Sequence, residues 1–208
     1  ADKGIETNFL VFDSGVEANQ AFASGSIDFA SMGNTNGIIA LSRGLDVELI
    51  WLHEILGEIE ALAVRKDSGI EKVEDLAGKS IATTFASTSH YSLLQVLNEA
   101  GIADQVQLLD MQTVDIVAAW ERGDIDAAYT WQPSLGSLLE NGDMLVSSEQ
   151  VAAMGHQTAN VLLARKGFTE QHPELTADFI AALIAGGNLY RENPEQAAAI
   201  VAVPLGIT

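Results

Sequence analysis

Three short polar runs have the residue types to hold an anion: Gly33-Asn34-Thr35-Asn36, Ser87-Thr88-Ser89 and Gln132-Pro133-Ser134. Each follows an apolar, strand-like stretch and precedes a helix-like one. At the carboxyl ends of strands in an α/β sheet, such junctions border the ligand crevice. A helix start there offers unpaired N–H groups and a partial positive charge, and hydroxyls beside it add neutral donors. The chemistry implied is capture of an oxyanion without cationic side chains. Plain helix capping uses the same residue types, so one junction decides nothing; three in one chain favour the anion site.

Phe12, Tyr91 and Trp131 fall at or near the ends of strand-like runs, where an aromatic face packs ligand methylenes or an ammonium. Core packing is the competing use of each, and Trp131, just before Pro133, is the best placed for a ligand. Glu54, Glu58 and Glu60 crowd the stretch Leu52–Glu60 and could pair with a ligand cation. In so acidic a chain, solvated surface glutamates are the competing reading. Enzyme motifs fail: Gly78-Lys79-Ser80 ends like a phosphate loop, but Val73 stands where that loop needs glycine. There is no G-x-S-x-G elbow and no H-E-x-x-H, and His53, His90, His156 and His172 lack metal-ligand spacing. No catalytic residue, metal or cofactor is expected.

The chain has 208 residues, 48% of them hydrophobic, enough for one large domain or two lobes. Ten basic against 29 acidic residues give a net charge of −19. Neutralising phosphates needs clustered Lys and Arg, so nucleic acid and acidic membrane surfaces are excluded as partners. Cysteine is absent, which removes disulfides, thiolate nucleophiles and Cys-based metal sites. No apolar run reaches the length of a membrane span. The chain starts without methionine and in mid-element, so a targeting segment is expected upstream.

Helix and strand signals alternate throughout, which predicts an α/β fold. Strands are expected at Ile5–Phe12, Ile27–Met32, Val47–Leu52, Glu60–Lys66, Ser80–Phe85, Val106–Leu109, Ile125–Trp131 and Asn160–Arg165. A capping box at Ser14-Gly15-Val16-Glu17 opens a helix that ends at Gly25. Further helices are expected at Asn36–Ser42, Val73–Ala77, Ser89–Glu99, Val114–Arg122, and from a Ser134 cap to a stop at Gly142. Pro173 and Asn193-Pro194 start the last two. The run at 21–30 echoes at 119–128, 98 residues on, as helix, glycine, Ile-Asp and strand. Ala61–Lys66 and Val161–Lys166 are near copies, placed to act as paired connections between lobes.

In these motifs the chain resembles periplasmic substrate-binding proteins of ABC importers for taurine and related sulfonates. The resemblance runs in order through Phe12-Asp13-Ser14-Gly15, Ala23-Ser24-Gly25, Glu60-Ala61-Leu62, Glu74–Lys79, Ser87-Thr88-Ser89-His90-Tyr91-Ser92-Leu93-Leu94, Ala118–Tyr129 and His172-Pro173-Glu174. It implies a type II periplasmic-binding-protein fold, two α/β lobes joined by a hinge, with the first lobe incomplete at both chain ends. The lobes would be residues 1–63, 64–164, and a return to the first over 165–208. It implies a monomer that captures taurine or a related small sulfonate in the inter-lobe cleft, unchanged, and delivers it to a membrane permease.

By the same resemblance Asn34, Thr35, Ser87, Thr88 and Ser89 match sulfonate-side positions, while Glu60 and Trp131 match the ammonium end. Asp13, Gly15, His90 and Tyr91 lie within the shared motifs. Asn160 departs from the pattern, standing where the taurine binders carry an acidic residue; Glu54 could supply the missing carboxylate. Alternatives on the same fold are an importer protein for another small anion or zwitterion, a ligand-sensing domain as in LysR-type regulators, and a pyrimidine synthase for thiamin. The last relies on a Cys-rich motif that a chain without cysteine does not have.

Overall fold

The echoed run shows how local sequence becomes architecture. In the computed structural model, which describes residues 6–205, helix α1 (Gly15–Ser24) ends at Gly25 with φ 71°, and helix α4 (Thr113–Arg122) ends at Gly123 with φ 78°. Both ends make the same pair of bonds. Gly25 N and Ser26 N donate to Phe22 O and Ala21 O, and Gly123 N and Asp124 N donate to Trp120 O and Ala119 O. A left-handed residue after a helix is glycine's role, since it lacks the Cβ that would clash. Strands β1 (Phe29–Gly33) and β6 (Ala127–Trp131) follow, and they lie in different sheets.

One sheet has three strands in the order β1-β8-β2, with β2 Val47–Ile55 and β8 Ala159–Arg165, both neighbours antiparallel to β8. The other has five in the order β5-β4-β6-β3-β7. These are β3 Glu60–Arg65, β4 Ser80–Thr83, β5 Gln107–Asp110, β6 and β7 Gly142–Ser147. In it β4 runs parallel to β5 and β6, while β3 is antiparallel to β6 and β7. The remaining helices are α2 (Asn34–Ser42), α3 (Thr88–Glu99), α5 (Ser134–Leu139), α6 (Ser148–Ala153), α7 (Lys166–Gln171), α8 (Pro173–Glu192) and α9 (Pro194–Leu205).

Alternate side chains of a strand point to opposite faces, and the five-stranded sheet uses both. Leu62, Ile81 and Tyr129 pack with Leu93, Leu97 and Val151 on one face. Ala61, Ala63, Ala82 and Ala128 pack with Ile116, Trp120, Leu135 and Leu138 on the other. The alanines leave room for the Trp120 indole. In the three-stranded sheet, Met32, Val47, Val161 and Leu163 pack with Ala18 and Phe22 of α1 and Ala40 of α2. Phe29 turns to the opposite face and meets the rings of Phe168 and Phe179.

The chain passes between the sheets at residues 56–59 and again between α6 and β8, and Leu56 N donates to Thr158 O at 3.0 Å where these passages meet. The near-copy segments are therefore not paired with each other. Each is an interior strand of its own sheet, β8 between β1 and β2 and β3 between β6 and β7, because each is apolar enough to be covered on both sides. Four other expectations change. Residues 6–12 form no strand and leave Phe9 and Val11 81% and 92% exposed; Ile5 lies outside the described residues. At α1, Glu17 Oε2 accepts from Asp13 N rather than from Ser14 N and Ser14 Oγ makes no capping bond, so the expected capping box does not form. Val73–Leu76 is a single 3-10 turn. Ser134 is the first residue of α5, without a capping bond, and Gly142 starts β7 instead of stopping a helix. A Cβ on Gly142 would sit 2.7 Å from Trp120 Cζ2 and 2.9 Å from Val64 O, so packing demands the glycine. Strand β7 and helix α6 were not expected at all.

Candidate functional site

Two helix N-termini, one from each sheet, meet at the carboxyl ends of their strands. β1 ends at Gly33, the residue preceding α2, and the strand β4 leads through Thr84–Ser87 into α3. A Cβ on Gly33 would lie 2.6 Å from Thr88 Cγ2, so the glycine permits the approach. α2 has no side-chain cap, which leaves its first-turn N–H groups to other partners. α3 is capped: Ser87 Oγ accepts from His90 N at 3.1 Å and donates to Thr84 O at 2.6 Å. The Ser87 hydroxyl proton is thus already committed, and its role here is capping. Two positive helix ends facing each other across a gap create a place where an anion lowers the energy of both.

Beneath this gap lies Glu60, only 1% exposed. Thr88 Oγ1 donates to Glu60 Oε2 at 2.5 Å and Ser148 Oγ to Oε1 at 2.7 Å. Tyr129 OH, 3.1 Å from Ser148 Oγ, is placed to donate into the same chain. Ser89 Oγ is buried on this side without a bond of normal geometry. Burial pushes the Glu60 carboxyl above its usual range, opposed by the hydroxyls of Thr88, Ser148 and Ser89. Burial also raises the Tyr129 phenol, helped by the Glu60 charge. The resemblance assigned Glu60 and Thr88 to opposite ends of a ligand. The structure instead joins them directly, because Glu60, first residue of β3, points under the first residues of α3 and α6.

The other side of the gap is assembled by β8. Asn160 is in register with Gly33 on one side and Glu54 on the other, and its Nδ2 donates to Glu54 Oε1 at 2.8 Å. Asn34 Oδ1 accepts from Ala159 N at 3.3 Å. Asn34, Asn160 and Glu54 therefore come together at the start of β8, with Glu54 exposed, and Thr35 follows Asn34 in α2. Trp131, half-buried at the end of β6, is paired with Glu60 across the strands.

Asp13 and Gly15 stand at the start of α1, with Asp13 exposed. His90 stacks on Phe85 at 4.3 Å, and its Nδ1 accepts from Ala86 N at 3.2 Å. Burial lowers the His90 pKa, against the pull of Asp110. Tyr91 meets His156 edge-on, and no ring contact joins Phe12, Tyr91 and Trp131. Gln132-Pro133-Ser134, the third junction, is mostly exposed, and Gln132 Oε1 already accepts from Gly136 N in the first turn of α5 at 3.1 Å.

Asn36 was read as part of the first polar junction, but not for the bond it makes, and Ser148 and Tyr129 were not read as site residues. Asn36, 3% exposed, reaches across to Ala86 O. Ser148 and Tyr129 complete the Glu60 chain. Ser148 had a signal: Ser147 and Gln150 form a capping box that marks the start of α6. Tyr129 had none, since it reads locally as an ordinary core residue. Among the described residues no three His, Asp or Glu side chains come together as a metal set. A surface hollow of about 390 Å³ along α4, lined by Asp110, Asp115 and Arg122 among others, lies outside the gap.

Comparison with known proteins places this geometry among relatives. A family described as NMT1/THI5 like matches residues 1–197. The chain is 40% identical over 195 residues to the taurine-binding periplasmic protein of Escherichia coli K12, covering 93% of this chain and 60% of that protein. It is 27% identical over 201 residues to a putative aliphatic sulfonates-binding protein of the same organism, covering 96% and 62%. The crystal structure of the periplasmic aliphatic sulphonate binding protein from Escherichia coli superposes with TM-score 0.81 at 28% identity, covering 95% of this chain and 67% of that one. The chain thus spans about 60% of the length of the curated relatives it matches.

Proposed function

The chain belongs to the NMT1/THI5-like family, and from that premise we propose that it is the substrate-binding part of an ABC importer, taking taurine or a related small sulfonate into the gap between its two sheets. The observation that carries this reading is the meeting of the α2 and α3 N-termini, one from each sheet, over a buried hydroxyl cluster. A sulfonate oxygen accepts hydrogen bonds and is not protonated at neutral pH, so helix N–H groups and hydroxyls suit it. Exclusion of water from the gap strengthens those bonds, which lets a chain of net charge −19 hold an anion. The 40% identity to a taurine-binding periplasmic protein supports the ligand class, a periplasmic location and a permease partner.

The lobes are the two sheets with their helices. Their boundaries fall at residues 56–59 and between α6 and β8, a few residues before positions 63 and 164, because β3 and β8 each belong wholly to one sheet. The crossing tied by Leu56 and Thr158 is the hinge.

A taurine ammonium needs a carboxylate. Glu60 is covered by two hydroxyls, so the accessible carboxylate is Glu54, which Asn160 steadies. Asn160 then orients a carboxylate instead of supplying one. Titration calorimetry with taurine and ethanesulfonate, which differ by the amine, tests both statements. Glu54→Gln should weaken taurine about tenfold, the size of one charge-assisted bond, and leave ethanesulfonate unchanged. Equal loss for the two ligands would remove Glu54 from the site, and no binding of either to the unaltered chain would remove the sulfonate reading.

A further inference from the structure

Asn36 lies one turn into α2, on the three-stranded side, yet its side chain belongs to both sides. Its Nδ2 donates to Ala86 O at 3.1 Å, in the connection that leads into α3. Both partners of that bond are held in place by their own surroundings. Asn19 Nδ2 of α1 donates to the Asn36 carbonyl at 2.9 Å. Gly15 leaves the space the side chain fills: a Cβ there would lie 2.5 Å from Asn36 Cγ. Opposite, Ala86 has φ 63°, the positive-φ non-glycine residue among those described. That conformation costs an alanine energy. Its N–H is held by His90 Nδ1, and the His90 ring is clamped on Phe85. An unfavourable backbone conformation, bonded at the nitrogen on its own side and at the oxygen from the other, aims the Ala86 carbonyl at Asn36.

We propose that Asn36 is a positioning residue: by bonding Ala86 O across the gap it fixes the spacing of the α2 and α3 N-termini, and so the size of the anion they admit. The latch needs no ligand. Its consequence for anion size rests on the sulfonate reading above. With the bond made, the helix starts stay as close as Gly33 and Thr88 allow, which suits a compact sulfonate. With it lost, the sheets separate about the Leu56–Thr158 crossing and bulkier anions fit.

The chain has no cysteine, so spin labels at Gln20→Cys and Glu121→Cys, exposed sites on opposite sides, report the distance between the sheets. In the ligand-free protein, Asn36→Ala should shift the pulsed-EPR distribution to longer distances and cut the short-distance population about fivefold, the value of one net hydrogen bond. Gly15→Ala, which leaves both Asn36 and Ala86 unsubstituted, should shift it the same way by displacing the Asn36 side chain. A merely structural role would alter melting temperature without moving this distance. Calorimetry of Asn36→Ala should then show the affinity ratio of taurine to hexanesulfonate falling about fivefold. Unchanged distances in both variants overturn the latch. Longer distances with an unchanged ratio overturn the size limit. Failure of the unaltered chain to bind either sulfonate counts against the sulfonate reading alone, and the distances still decide the latch.

Discussion

The interior strands β3 and β8 begin from nearly the same local sequence, Ala61–Lys66 and Val161–Lys166, and end in different surroundings. β3 is buried from Glu60 to Val64 and has a packed cluster on each face of its sheet. β8 is as apolar, but its sheet has only three strands, and β2 beside it leaves Leu49, Leu52 and Ile55 about half exposed. Neighbours, not the strand's own residues, decide how tightly each is held. The five-stranded side of the gap is packed on both faces of its sheet, whereas the three-stranded side leaves more apolar surface exposed. On the proposed reading, an anion between α2 and α3 joins walls packed to unequal extents.

The largest test of that contrast is a pair of cavities. Leu62→Ala, in the doubly packed sheet, should cost about 4 kcal/mol, and Leu163→Ala about 2 kcal/mol because its surroundings can move in. Urea unfolding of both variants measures this, and equal losses would erase the distinction between the walls.

A smaller effect comes from the buried carboxyl under the gap. The folded-state pKa of Glu60 is raised above its ordinary 4.5, so the folded protein holds that proton to higher pH than the unfolded chain. Its contribution is full below the ordinary value and is lost as pH rises through the folded one, at no more than about 1.4 kcal/mol per pH unit. Glu60→Gln cannot lose it. The stability of Glu60→Gln relative to the unaltered chain should therefore rise between pH 5 and pH 8, in unfolding titrations at each pH. A flat difference would mean that the three hydroxyls fully offset burial.

The smallest contrast is between helix starts. Ser87→Ala removes a real cap and should cost about 1 kcal/mol, whereas Ser134→Ala removes none and should stay within about 0.5 kcal/mol. Thermal unfolding of the two variants separates them, and equal shifts would make Ser134 a cap after all.

Where the sequence was readable, local rules sufficed. Gly25 and Gly123 ended their helices as expected, because a left-handed residue is a property of the glycine itself. Strands such as Val47–Ile55 and Glu60–Arg65 were legible from apolar runs. The misses share a cause. Residues 6–12 have strand composition, but a strand exists only with a ladder partner, and they have none among the described residues. Gly142 looked like a helix stop; its contact with Trp120 and Val64, distant in sequence, makes it a strand start.

The polar junctions at Asn34–Asn36 and Ser87–Ser89 were legible in the sequence as helix starts, to within two residues, since helix starts follow from backbone rules over a short stretch. What each side chain does there was decided by tertiary structure. Ser87 spends its proton on Thr84 O while its oxygen caps α3, Thr88 spends its own on Glu60, and Asn36 donates to a carbonyl fifty residues away. A hydroxyl has one proton to give, and only the packed chain determines which acceptor stands nearest.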